Sequence, residues 1–78
     1  MYEVVGYRFV DMKSDDGSQI TGYSCYLLNY SEKNGLTGAE ALKQFFRQSD
    51  FPEFVPELGM KLRLYYDDRR KLIDYKLL

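Results

Sequence analysis

Met60-Lys61-Leu62-Arg63-Leu64-Tyr65-Tyr66, then Asp67-Asp68-Arg69-Arg70, then Lys71-Leu72-Ile73-Asp74-Tyr75-Lys76-Leu77 is the stretch that decides the fold. Met60, Leu62, Leu64 and Tyr66 alternate with Lys61, Arg63 and Tyr65. A period of two is the mark of a half-buried strand, because successive side chains leave opposite faces of the pleat. Ile73, Tyr75 and Leu77 alternate with Leu72, Asp74 and Lys76 in the same way, and the charged run between the two segments reads as their turn. The chain therefore closes on a β-hairpin, and a lone two-stranded hairpin is marginal in water, so further strands must pack with it.

Those strands are found at the N-terminus. Segments from about Tyr2 to Lys13 and from about Gln19 to Tyr30 flank Ser14-Asp15-Asp16-Gly17-Ser18, and Asp16-Gly17 is a hairpin-turn signal because Gly accepts positive φ. A hairpin centred there places Phe9 near Tyr23, Tyr7 near Cys25 and Val5 near Leu27 on one face. The other face then carries Val4 near Leu28, Gly6 near Tyr26 and Arg8 near Ser24. Both faces hold large apolar side chains, and Gly6 and Gly22 interrupt the strands. That pattern suits a strongly coiled sheet bending into a small barrel, with the glycines as bending points or as bare backbone covered by an aromatic ring.

Between the hairpins, Ser31-Glu32-Lys33-Asn34-Gly35 reads as a turn. Thr37 and Glu40 have capping-box spacing, and Gly38 to Gln44 holds good helix formers, so a short helix of one to three turns is expected from about Thr37. Lys43-Gln44-Phe45-Phe46-Arg47 either ends that helix or forms a strand, with a strand-like stretch the preferred reading. From Ser49 to Gly59, Pro52 and Pro56 dictate a loop. Phe51, Phe54 and Val55 are expected to pin it against the body as a plug over a barrel end.

A chain of 78 residues has room for one core, so residues 1–78 are read as one domain. There is no histidine and a single cysteine. The absence of histidine removes the commonest general base and the commonest transition-metal ligand together. One cysteine leaves no internal disulfide and no zinc site made by one chain, and Cys25, inside an apolar run, reads as a packing residue. No catalytic residues, metal, cofactor or small-molecule substrate are expected. No apolar run approaches the roughly 20 residues that cross a bilayer, and Met1-Tyr2-Glu3-Val4 lacks a basic leader. A cytoplasmic protein without membrane association is expected.

The net charge is −1, but it is unevenly spread: residues 1–58 carry five basic and nine acidic side chains, residues 59–78 six basic and three acidic. Cations that follow phosphates and rings on which bases stack are what a single-strand binder needs. Lys61, Arg63 and Tyr65 on one strand face, with Arg69, Arg70 and Lys71 at the adjoining turn, supply both, and Arg8 and Tyr26 extend the surface if the barrel closes suitably. These eight residues are the expected nucleic-acid-binding set. The bland reading of this surface is a solvated strand face whose tyrosines support a neighbouring strand; the competing function is a small protein-interaction or homodimerisation module that binds no nucleic acid, since exposed Tyr and Arg also anchor protein interfaces.

Val5-Gly6-Tyr7-Arg8-Phe9-Val10-Asp11, Gly22-Tyr23 with Tyr26 soon after, Gly35-Leu36, and Pro56-Glu57-Leu58-Gly59 leading into Leu64-Tyr65-Tyr66 carry a resemblance across most of the chain. In that order they resemble small proteins of phages and conjugative elements of Gram-positive bacteria. Those proteins are likened to the filamentous-phage helix-destabilising proteins, which bind single-stranded DNA as dimers through an open five-stranded barrel. The resemblance implies a homodimer and a role in DNA replication or transfer. It also implies an OB-like barrel; with the residue pattern, the expected fold is mainly β, a small OB-like or SH3-like barrel of about five strands with one short helix. The resembled proteins usually place Asn and Gly in the final turn, where this chain has Asp67-Asp68-Arg69-Arg70.

Overall fold

The computed structural model describes residues 1–30 and 37–78. Among the described residues five strands follow in chain order: β1 (Tyr2–Lys13), β2 (Gln19–Asn29), β3 (Glu40–Arg47), β4 (Lys61–Tyr66) and β5 (Leu72–Leu77). They form one antiparallel sheet in the order β3-β2-β1-β4-β5. The turn expected over Ser31–Gly35 lies outside the described residues.

The first hairpin turns where Asp16-Gly17 directs. Gly17 has φ 87°, and the Asp16 carboxylate accepts the Ser18 amide at 2.9 Å, the Ser18 hydroxyl at 2.6 Å and the Ser14 hydroxyl. These bonds to Ser14 and Ser18 hold the Asp16 carboxyl well below its ordinary range. From that turn the register runs as read from sequence, with Phe9 opposite Tyr23, Tyr7 opposite Cys25, Arg8 opposite Ser24 and Gly6 opposite Tyr26.

Beyond Gly6 the register differs from the expectation. A bulge between Val4 and Gly6 makes Val4, not Val5, the partner of Leu27, and Glu3 the partner of Leu28. Val4 is fully buried while Val5 is 45% exposed. The extra residue re-phases the strand, so that Val4 and Tyr7, an odd number of residues apart, share a face. A second irregularity does the same in β5: Tyr66 pairs with Leu72 and Tyr65 with Asp74, which buries Leu72 and turns Ile73 outward.

No helix occurs among the described residues, which corrects the expected short helix after Thr37. Residues from Glu40 onward pair with β2, Leu42 opposite Leu27 and Phe46 opposite Tyr23. Phe46 is buried at 1% exposure. A helix there would leave the β2 edge unpaired and remove Phe46 from the core, and this tertiary demand overrides the helix propensity of Ala39 to Gln44.

Val4, Cys25, Leu27, Phe46, Phe54, Leu62 and Leu72 form the buried core. Phe54, carried by the loop before β4, stacks on Phe46 at 4.0 Å between centroids. Tyr75 stands edge-on to Phe54 at 5.0 Å and to Phe46 at 6.1 Å. Phe51 adds an edge contact to Phe46. Phe51 and Phe54 thus pin the loop as expected, whereas Val55 does not, being 62% exposed. Cys25 is a packing residue with no exposure, and desolvation pushes its thiol up to about 11, leaving it protonated at neutral pH.

The sheet curls enough for the Tyr66 hydroxyl on β4 to donate to Gln44 Oε1 on β3 at 2.9 Å. Desolvation, with Tyr2 nearby, raises the pKa of that hydroxyl. No ladder joins β3 to β5, so the sheet remains open and the barrel is not closed. β1 pairs with β4 only through Tyr2 and Glu3, extended by bonds of Val4 to Met60 and Gly59. The far half of the β1–β2 hairpin therefore projects. The radius of gyration is 13.7 Å, against roughly 11.5 Å for a compact domain of this length. Among the described residues no helix is long and apolar enough to cross a membrane.

Candidate functional site

The face of β1–β2–β3 turned away from the core is built in three rows that the register fixes. Gly6, Tyr26 and Lys43 form one; Arg8, Ser24 and Phe45 the next; Val10, Gly22 and Arg47 the third. The middle strand contributes small residues to two of the rows, and the rings lean over bare backbone. A Cβ on Gly6 would sit 3.6 Å from the Tyr26 ring, and one on Gly22 would sit 2.8 Å from the Phe45 ring tip. Of the two roles expected of these glycines, bending point or bare backbone under a ring, the second is seen at both positions.

Small residues between long ones make a groove. It measures about 440 Å³ and is lined among others by Arg8, Val10, Ser24, Lys43, Phe45 and Arg47. Three of its walls are cationic and no carboxylate lines it. By the alternation of strand side chains, the whole outward face of these three strands from Gly6 to Met12, Ile20 to Leu28 and Ala41 to Arg47 holds no acidic residue. Arg8, Lys43 and Arg47 form no ion pair among the described residues. Lys43 Nζ instead lies 5.8 Å from the centroid of the Tyr26 ring, which is 42% exposed. Ser24 Oγ lies buried with no hydrogen-bond partner among the described residues. Unpaired cations beside reachable rings, with a low acid count, form an environment that attracts anions and stacks planar groups.

The eight residues expected to bind nucleic acid are not brought together as one surface. Arg8 lines the groove, and Tyr26 stands on the same face beside Lys43. Lys61, Arg63 and Tyr65 are exposed on β4, but Lys61 pairs with Glu3 and Tyr65 with Asp74, so two carboxylates share that wall. Counting from the Glu3–Lys61 pair, Arg63 and Arg8 lie in opposite directions, about 20 Å apart along the strands at roughly 3.3 Å per residue.

Arg69, Arg70 and Lys71 sit at the β4–β5 turn, where the Asp67 carboxylate accepts the amides of Arg69 at 2.9 Å and Lys71 at 2.8 Å. The curl of the sheet brings this turn beside β3 and away from the outer wall of β4. Arg70 lines a cleft with Lys43 and Tyr66, and Lys71 one with Arg47 and Phe51. Arg70 has φ 63°, the one described non-glycine residue at positive φ, a conformation costing an L-residue roughly 1–2 kcal/mol.

Sequence reasoning missed Lys43, Phe45 and Arg47. The signal was present: Ala41, Lys43, Phe45 and Arg47 alternate with Leu42, Gln44 and Phe46, a strand period whose start is hidden by the helix-forming composition and whose pairing with β2 leaves no local mark. Among the described residues no three His, Cys, Asp or Glu side chains cluster as metal ligands. Comparison with known proteins returned no matching family model, no similar curated protein and no similar solved structure.

Proposed function

We propose that the protein is a non-catalytic single-stranded DNA-binding accessory protein of a phage or mobile element, acting in the cytoplasm through the outward face of β1–β2–β3. The observation that carries this reading is the acid-free groove, in which Arg8, Lys43 and Arg47 flank Phe45, with the Tyr26 ring beside Lys43 on the same face. The cations follow the phosphodiester backbone and the rings receive unpaired bases. Each stacked base contributes roughly 1–3 kcal/mol without regard to sequence. A duplex keeps its bases stacked inside and offers the rings nothing. In this reading the curled sheet is an OB-like open barrel whose convex wall is the binding surface.

A second reading, homodimerisation, draws on the opposite face. There Tyr7 and Phe9 are 43% and 53% exposed beyond the end of the core, and Val55 and Leu58 on the neighbouring loop are 62% and 70% exposed. Large exposed apolar groups of this kind mark interaction surfaces. Sedimentation velocity of the protein with labelled oligo-dT tests both readings in one experiment. The expected result is a dimer at every salt concentration that carries oligonucleotide at low salt and releases it at high salt. The three phosphate contacts of the groove alone contribute about −2 to the log–log salt slope. A protein that carries no oligonucleotide at low salt would refute the first reading, and a 9.2 kDa species throughout would refute the second.

A further inference from the structure

Two clefts run from the groove over the edge of β3, and each joins one groove cation to one cation of the β4–β5 turn. Lys43 shares the first with Arg70, and Arg47 shares the second with Lys71. Among the described residues β3 is an edge strand with no ladder partner on this side, and a sheet edge is open to whatever crosses it. Glu40 and Asp50 border the clefts, and among the described residues Asp50 forms no ion pair with any of the four cations. Of the two acids in the turn itself, Asp67 turns its carboxylate to the backbone amides of Arg69 and Lys71, and Asp68 forms no ion pair among the described residues. Like charges facing one another across a seam repel unless an anion lies between them.

The turn is also built against local preference. Arg70 holds φ 63°, where Gly or Asn is the easy choice. The turn closes through the Arg70 amide donating to the Asp67 carbonyl at 3.0 Å, a backbone bond that any residue with an amide can make. The side chain therefore contributes nothing that the turn itself requires. An arginine kept in a strained position is the kind of local conflict that points to function.

We infer that the bound single strand does not end in the groove but crosses the β3 edge, where Arg70 and Lys71 grip its next phosphates from the far side. This rests on the proposed binding face and adds its direction and its second clamp. The ligand class is unchanged, a flexible phosphodiester strand, but it must be long enough to pass from Arg8 over β3 to the turn.

The test compares wild-type protein with the Arg70→Gly, Arg70→Lys and Lys71→Ala variants, measuring melting temperature and oligo-dT affinity across salt. Arg70→Gly is expected to melt at or above the wild-type temperature, because the strain is relieved, yet to bind several-fold more weakly. Its salt slope should be shallower by about 0.7, the value for one lost phosphate contact on a single strand. Arg70→Lys keeps the charge and should recover most of the affinity, and Lys71→Ala should lose affinity and slope as Arg70→Gly does. Opposite movement of stability and binding is something a merely structural arginine would not produce. Wild-type affinity and slope in both Arg70→Gly and Lys71→Ala, with wild-type protein binding well, would overturn the crossing and leave the groove standing. Wild-type protein that binds no oligo-dT at low salt would overturn both.

Discussion

Replacing Arg8, Lys43 and Arg47 together by Ala is expected to weaken oligo-dT binding by roughly 100-fold or more at low salt. The estimate takes at least 1 kcal/mol for each lost charge-assisted contact and about 1.4 kcal/mol per tenfold in affinity. The salt slope should flatten by about 2 at the same time. All three side chains are exposed and make no ion pair among the described residues, so their removal leaves no buried charge and the fold should keep its melting temperature within a few degrees. The matching variant on the other wall, Lys61→Ala with Arg63→Ala and Tyr65→Ala, removes two charges and a ring from β4. Because Glu3 and Asp74 share that wall and the groove lies about 20 Å away, it should bind within about threefold of wild type. Filter binding or fluorescence anisotropy reads both variants. Equal losses in the two would mean that charge acts without regard to place, and the groove would have no special standing.

The largest effect on stability is expected at Gly22. A Cβ there would lie 2.2 Å from the Phe46 carbonyl oxygen and 3.0 Å from the Arg47 Cα. Both are backbone atoms of β3, so relief requires moving that strand away from β2 and stretching the ladder that holds Phe46 in the core. Overpacking of this kind costs roughly 1–3 kcal/mol and sometimes more. In a domain this small each 1 kcal/mol shifts the melting temperature by about 4–8 °C. Gly22→Ala should therefore melt about 10–20 °C lower. Gly6→Ala is the control, because its Cβ would meet only the Tyr26 side chain at 3.6 Å and more, an ordinary contact. A Gly22→Ala protein as stable as wild type would show that β2 and β3 do not approach as closely as described.

How far the fold could be read beforehand depended on whether the deciding interaction was local. Asp16-Gly17 and the alternation from Met60 to Leu77 are local signals, and both hairpins form where they indicate. The bulges at Val5 and Ile73 leave no local mark, because their cause is the demand that Val4 and Leu72 reach a core assembled from distant strands. The start of β3 was missed for the same reason, whereas Lys43 to Arg47 is a strand as its preferred reading has it. Thr37 to Gln44 prefers helix when alone, and only the unpaired edge of β2 and the place waiting for Phe46 make it a strand.

That one miss carried into the site. A strand-like stretch from Lys43 to Arg47 puts Lys43, Phe45 and Arg47 on one face, but nothing local pairs that stretch with β2, so the basic residues of the last hairpin were the one cluster in view. Arg8 and Tyr26 were legible because the first hairpin fixed their register. The placement of Arg70 and Lys71 beside β3 was not, because it follows from the curl of the whole sheet, seen in the Tyr66–Gln44 bond.

The most direct test of the binding face is a titration of isotope-labelled protein with oligo-dT at low salt, followed by amide and side-chain NMR shifts. The account predicts the largest changes at Arg8, Ser24, Tyr26, Lys43 and Phe45, with little change at Arg63 and Tyr65. Changes centred on Arg63 and Tyr65, or none anywhere at saturating oligonucleotide, would contradict it.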